Sequence, residues 1–85
     1  MTSHDPVLHT VRAHLQGALK LSAAEAAAIG REATPATLAG WTSMVHLELL
    51  LAVERAHDVT FDADEIASLA SVGAIVDAVG KAARR

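Results

Sequence analysis

The chain has no cysteine. It therefore cannot build a disulfide framework, a thiolate zinc site or a cysteine nucleophile, and this fits a reducing compartment. Aromatic residues are almost missing: one Trp, one Phe and no Tyr among 85 residues. With so little aromatic content and so much alanine, helix is favoured over sheet. No apolar run approaches the roughly 20 residues that a membrane span needs. The opening MTSHDPVLHT lacks a basic segment followed by an apolar one, so no signal peptide is expected and the expected location is cytoplasmic.

What is present fits one small domain, residues 1–85, with its core within about 6–83. Asp5 can cap a first helix over 6–20, with Pro6 suited to the first helical position. Val7, Val11, Leu15 and Ala18 recur there at helical spacing. Residues 22–29, SAAEAAAI, carry a Ser cap with Glu25 three residues on. They are expected to form a short helical turn inside a longer loop, with Gly30 as the stop. Residues 31–41 hold Pro35 and Gly40 without periodicity and read as loop. A second helix runs from Ser43 to about Ala56, capped by Thr42 or by Ser43. Asp62 caps a short third helix to about Leu69, with Glu65 completing a capping box. Ser71 caps a last helix through about Ala83, whose Val72, Ile75, Val76 and Val79 form one apolar face. The expected fold is an all-α, small four-helix bundle with three long helices and one short. The loop before the second helix is long for so small a bundle, and long ordered loops are often functional.

The net charge of −3 is unevenly spread. Acids and bases cancel over residues 1–41. Residues 42–80 hold seven acids against one base, Arg55. An acidic middle repels nucleic acid and attracts basic protein surfaces, which rules against a helix-turn-helix DNA binder. The plain alternative is a solvated face.

The second helix is apolar on more than one side. Advancing about 100° per residue puts Leu49, Leu50 and Val53 on one side, with His46 and His57 beside them. Met44, Leu47 and Leu51 fall on another side, near Glu48 and Arg55. The first stripe suffices as a core face. The second is either a docking surface or is covered by the last helix or the long loop, and angle alone does not separate these. No catalytic group is assigned. His46 lies three residues after Ser43, but a nucleophile–base pair needs an orienting third group and none is evident. His46 is expected to be a packed histidine or to line a pocket. His4, His9 and His14 are five apart, which scatters them around a helix, so exposed histidines are expected and no metal site. Asp62, Asp64 and Glu65 lack the ligand number and glycine turn of a calcium loop and read as a helix start.

Three segments, GWTSMVHLELLLAVE, VTFDADEI and SVGAIVDAV, together resemble the acyl carrier and peptidyl carrier proteins. The resemblance covers about residues 38–80; residues 6–20 match only as a generic first helix. It implies an acyl-carrier-like bundle. It also implies that Ser43 is the attachment site of a 4′-phosphopantetheine arm derived from coenzyme A, with Thr42 capping the helix beside it. The arm would carry an acyl or aminoacyl group as a thioester, so the chain would be a carrier and not an enzyme. Partner docking would then fall to Met44, Leu47, Glu48, Leu51, Glu54 and Arg55. The implied partners are a phosphopantetheinyl transferase, a loading ligase or acyltransferase, and a downstream synthase. By analogy the setting is polyketide or nonribosomal peptide biosynthesis, with a stand-alone, monomeric carrier meeting its enzymes by diffusion. A fatty-acid synthesis carrier and an unmodified helical interaction module are the alternatives.

The sequence departs from the family pattern at three places. Thr42 stands where Asp is usual before the serine; it can still cap, but it removes a charge that the transferase reads. Arg55 stands where many carriers have another acid. His57-Asp58 stands where Phe-Gly is common, and Asp tolerates the left-handed conformation less well than Gly.

Overall fold

Asp5 starts the first helix as expected. Its carboxylate accepts the N–H groups of Val7 at 3.0 Å and Leu8 at 3.2 Å. In this computed structural model, which describes residues 5–83, five helices follow in order: α1 (Pro6–Leu19), α2 (Ala23–Ala27), α3 (Ser43–His57), α4 (Ala63–Ser68) and α5 (Val72–Ala83). The fold is all-helical among the described residues. Three helices are long and two short, one more than the four expected. The extra one is α2, where a helical turn was anticipated. Its Ser22–Glu25 capping box closes in both directions, at 3.1 and 2.8 Å.

α1 stops one residue early because Lys20 adopts φ 56°, a left-handed cap whose N–H returns to the Gln16 carbonyl. α3 runs one residue further than expected and ends in the same way on Asp58, φ 52°. The cap of α3 is Thr42, whose hydroxyl accepts the Val45 N–H at 3.2 Å. Asp62 and Glu65 cap α4 reciprocally, and the Ser71 hydroxyl accepts the Ala74 N–H at the start of α5.

α1 is the hub, packing on α3, α2 and α5. It presents Val7, Val11 and Leu15 to Leu49, Leu50 and Val53 of α3 and to Val72, Ile75, Val76 and Val79 of α5 in one core. Fully burying a side chain such as Leu49 or Val53 contributes about 2 kcal/mol. α1 and α3 run antiparallel: Thr10, early in α1, hydrogen-bonds His57 Nε2, late in α3, at 2.9 Å. Leu19, at the far end of α1, lies against Gly40 just before α3.

The long loop between α2 and α3 is anchored, and this is what fixes the start of α3. Ile29, Ala33 and Trp41 are buried in the core. The Val72 N–H donates to the Ala33 carbonyl at 3.0 Å, and the Gly73 N–H donates to the Arg31 carbonyl at 2.8 Å. Gly73 permits that approach, since a Cβ there would sit 3.1 Å from the Arg31 carbonyl oxygen. Arg12 Nε donates to the Ile29 carbonyl at 2.8 Å, and Arg31 pairs with Asp77 at 2.9 Å on the surface. No described helix is long and apolar enough to cross a membrane.

Candidate functional site

The corner that opens α3 is built by four consecutive residues. Gly40 has φ 88°, a backbone region that a side chain would strain. Its turn aims Trp41 inward, leaving it 4% exposed, and lets the Thr42 N–H reach the Gly40 carbonyl at 2.9 Å. Thr42 then caps, and Ser43 becomes the first residue of the helix. Ser43 is exposed, and its hydroxyl has no hydrogen-bond partner among the described residues.

A helix start leaves four N–H groups without intrahelical acceptors. Thr42 has used its own, and Val45 is satisfied by the cap. The N–H groups of Ser43 and Met44 remain without an acceptor among the described residues. They sit at the positive end of a 15-residue helix, a place that suits an anion. The corner thus joins an accessible hydroxyl to free backbone donors.

Below it runs the second apolar stripe of α3, and it is exposed: Met44 is 70%, Leu47 56% and Leu51 53% accessible. Neither the long loop nor α5 covers it. Glu48 and Arg55 are exposed on its flank. Glu54 is half-buried, and one of its carboxylate oxygens accepts the Phe61 N–H at 2.8 Å, tying the end of α3 to the segment before α4. Of the six expected docking residues, five therefore face solvent freely and Glu54 also has a structural bond. An open groove of about 590 Å³ adjoins the stripe between α1 and α3, with Leu51, Glu48 and Arg55 on one wall and His14 and Gly17 on the other.

The histidines differ from expectation in one case. His9 is exposed, but His14 is half-buried, and its Nε2 is enclosed without a hydrogen-bond partner among the described residues. His4 lies outside the described residues. His57 bridges to Thr10 as above. His46 was expected to be packed, and it is half-buried, but with a partner that periodicity does not reveal. The buried Trp41 indole N–H donates to His46 Nδ1 at 3.1 Å, with ring centroids 5.7 Å apart. A Trp placed just before a cap, facing inward, needs an acceptor for its N–H, and that requirement is the signal in the sequence. Among the described residues no three His, Asp or Glu side chains converge as a metal site. Asp62 and Glu65 are engaged in the α4 capping box.

Comparison with known proteins gives no match: no family model, no curated protein and no solved structure corresponds to this chain.

Proposed function

We propose that this chain is an acyl or aminoacyl carrier that bears a 4′-phosphopantetheine arm on Ser43. The observation that carries the reading is an unpartnered, exposed serine hydroxyl at the first position of α3, beside free N–H groups and at the head of an exposed apolar stripe. Attachment would join the Ser43 oxygen to the phosphate of coenzyme A, release adenosine 3′,5′-bisphosphate and yield a phosphodiester. The residues present fit that group: the Ser43 and Met44 N–H groups offer donors to its oxygens. The arm supplies a thiol for thioester chemistry, so a chain without cysteine can still carry cargo.

In this reading Met44, Leu47 and Leu51 are the apolar contacts for a transferase, a loading ligase or acyltransferase and a downstream synthase. Glu48 and Arg55 steer and select those partners. Docking is weak and transient, because the carrier must leave each enzyme in turn. The four-part plan of the family, with α2 as part of the long first loop, and a place in polyketide or nonribosomal peptide biosynthesis belong to the same proposal. They rest on the residue pattern over 38–80.

The test is intact mass after incubation with coenzyme A and a broad-specificity phosphopantetheinyl transferase. A gain of one phosphopantetheinyl group, absent in Ser43→Ala, is the expected result. A second reading, an unmodified docking module, is favoured by Thr42 in the place of the usual acid. It predicts no mass gain even with Thr42→Asp.

A further inference from the structure

We propose that His46 is a positioning residue for the arm: its Nε2–H holds the phosphodiester at Ser43 and so keeps the Met44–Leu47–Leu51 stripe clear for the partner. The inference rests on the reading of Ser43 as the attachment site.

Trp41 sets the chemistry of this ring. Its indole N–H can only donate, and it donates to His46 Nδ1 at 3.1 Å. A nitrogen that accepts carries no proton, so in the neutral ring the proton is on Nε2. The hydrogen bond from a buried tryptophan thus assigns the tautomer and turns the opposite edge of the imidazole into a donor. That edge is available. Nε2 has no hydrogen bond among the described residues, and the enclosed unpaired side-chain atom found there is His14 Nε2, not His46 Nε2. His46 Nε2 therefore meets solvent.

The ring also lies in the right place. Side chains on a helix lean toward its N-terminus and cover the preceding turn. The contact of His46 with Trp41, five residues earlier and outside the helix, is that lean made visible. The imidazole therefore lies against Trp41 at the corner that opens α3, and Ser43 is three positions before His46 on the helix, a spacing that sets the two Cβ atoms about 5–6 Å apart. Seen down the axis, His46 lies about 60° to one side of Ser43 and Leu47 about 40° to the other. A phosphodiester has two non-bridging oxygens, enough for a backbone N–H and for Nε2–H. Leaning on His46 turns it away from Leu47. The docking stripe and the root of the arm then occupy opposite flanks of the serine, so a partner can seat on the stripe without displacing the phosphate.

The experiment compares the modified protein with modified His46→Asn and His46→Gln. Asn keeps an acceptor within reach of the Trp41 N–H but has nothing at the Nε2 position; Gln places an amide N–H near that position. Both variants are checked by circular dichroism and by intact mass before use. The readouts are the 31P resonance of the phosphodiester and the 15N resonances of His46 before and after modification. The expected result is a shift of the His46 Nε2 resonance on modification, a displaced 31P resonance in His46→Asn, and its return toward the native position in His46→Gln. A His46 spectrum unchanged by modification, with the same 31P resonance in all three folded and fully modified proteins, overturns the role of His46 and leaves the carrier reading standing. Absence of any mass gain in both the native protein and Thr42→Asp overturns both.

Discussion

The two apolar faces of α3 have nearly the same composition and opposite fates. Leu49, Leu50 and Val53 are at most 3% exposed, while Met44, Leu47 and Leu51 are at least 53% exposed. Hydrophobicity does not separate them. What separates them is α1, which packs antiparallel on one side of α3 and leaves the other side open. An exposed apolar face costs solubility, and in the proposed reading partner enzymes occupy it. The difference teaches that a leucine's role on this helix is set by which neighbour packs against it, not by its own chemistry.

The largest effect should come from exchanging like for like across the two faces. Leu49→Ala is expected to lower stability by about 2–5 kcal/mol, whereas Leu47→Ala changes it by no more than about 0.5 kcal/mol. Urea unfolding followed by circular dichroism decides this, and equal losses would make the stripe part of the core. Next in size, Leu51→Glu should leave the helical signal intact and slow arm attachment by the transferase several-fold, consistent with about 1–2 kcal/mol of docking energy. An unchanged rate would remove Leu51 from the docking surface.

The two ends of α3 sharpen the same comparison. Thr42→Ala removes the cap and should cost about 1 kcal/mol. Thr42→Asp should preserve stability and speed modification; a rate equal to native would discard the idea that the missing charge matters to the transferase. The smallest effect is at the other end. Asp58 holds a left-handed conformation, so Asp58→Gly should raise stability by a few tenths to about 1 kcal/mol, the relieved strain being partly offset by the freer unfolded chain. A loss of stability instead would mean that the aspartate side chain contributes there.

Much of this was legible beforehand because it is local. Caps need only a few neighbouring residues, so Asp5, Ser22, Asp62 and Ser71 could be read directly. The surplus stripe was legible as surplus because the helical period places Leu47 and Leu51 away from Leu49 and Val53. Its exposure was not legible, because cover by α5 or the loop depends on partners distant in sequence. The Trp41–His46 bond escaped for a related reason. It crosses from a loop into a helix, and only the inward turn at Gly40 brings the indole to the ring. His14 is half-buried rather than exposed, and spacing within α1 does not show this, because it says nothing of what packs against the ring. Glu54 looked like a free surface acid until the chain after α3 folded back to donate the Phe61 N–H.

The sequence by itself determined the three long helices, α4 and the caps at Asp5, Ser22, Asp62 and Ser71, since these follow from backbone hydrogen bonding and a 3.6-residue period acting over a few positions; it left the cap of α3 open between Thr42 and Ser43. Tertiary structure alone decided which leucines are core, which histidine serves a tryptophan, and that the loop before Ser43 is anchored. Those outcomes depend on long-range packing, where burying one face of α3 against α1 leaves the other to water.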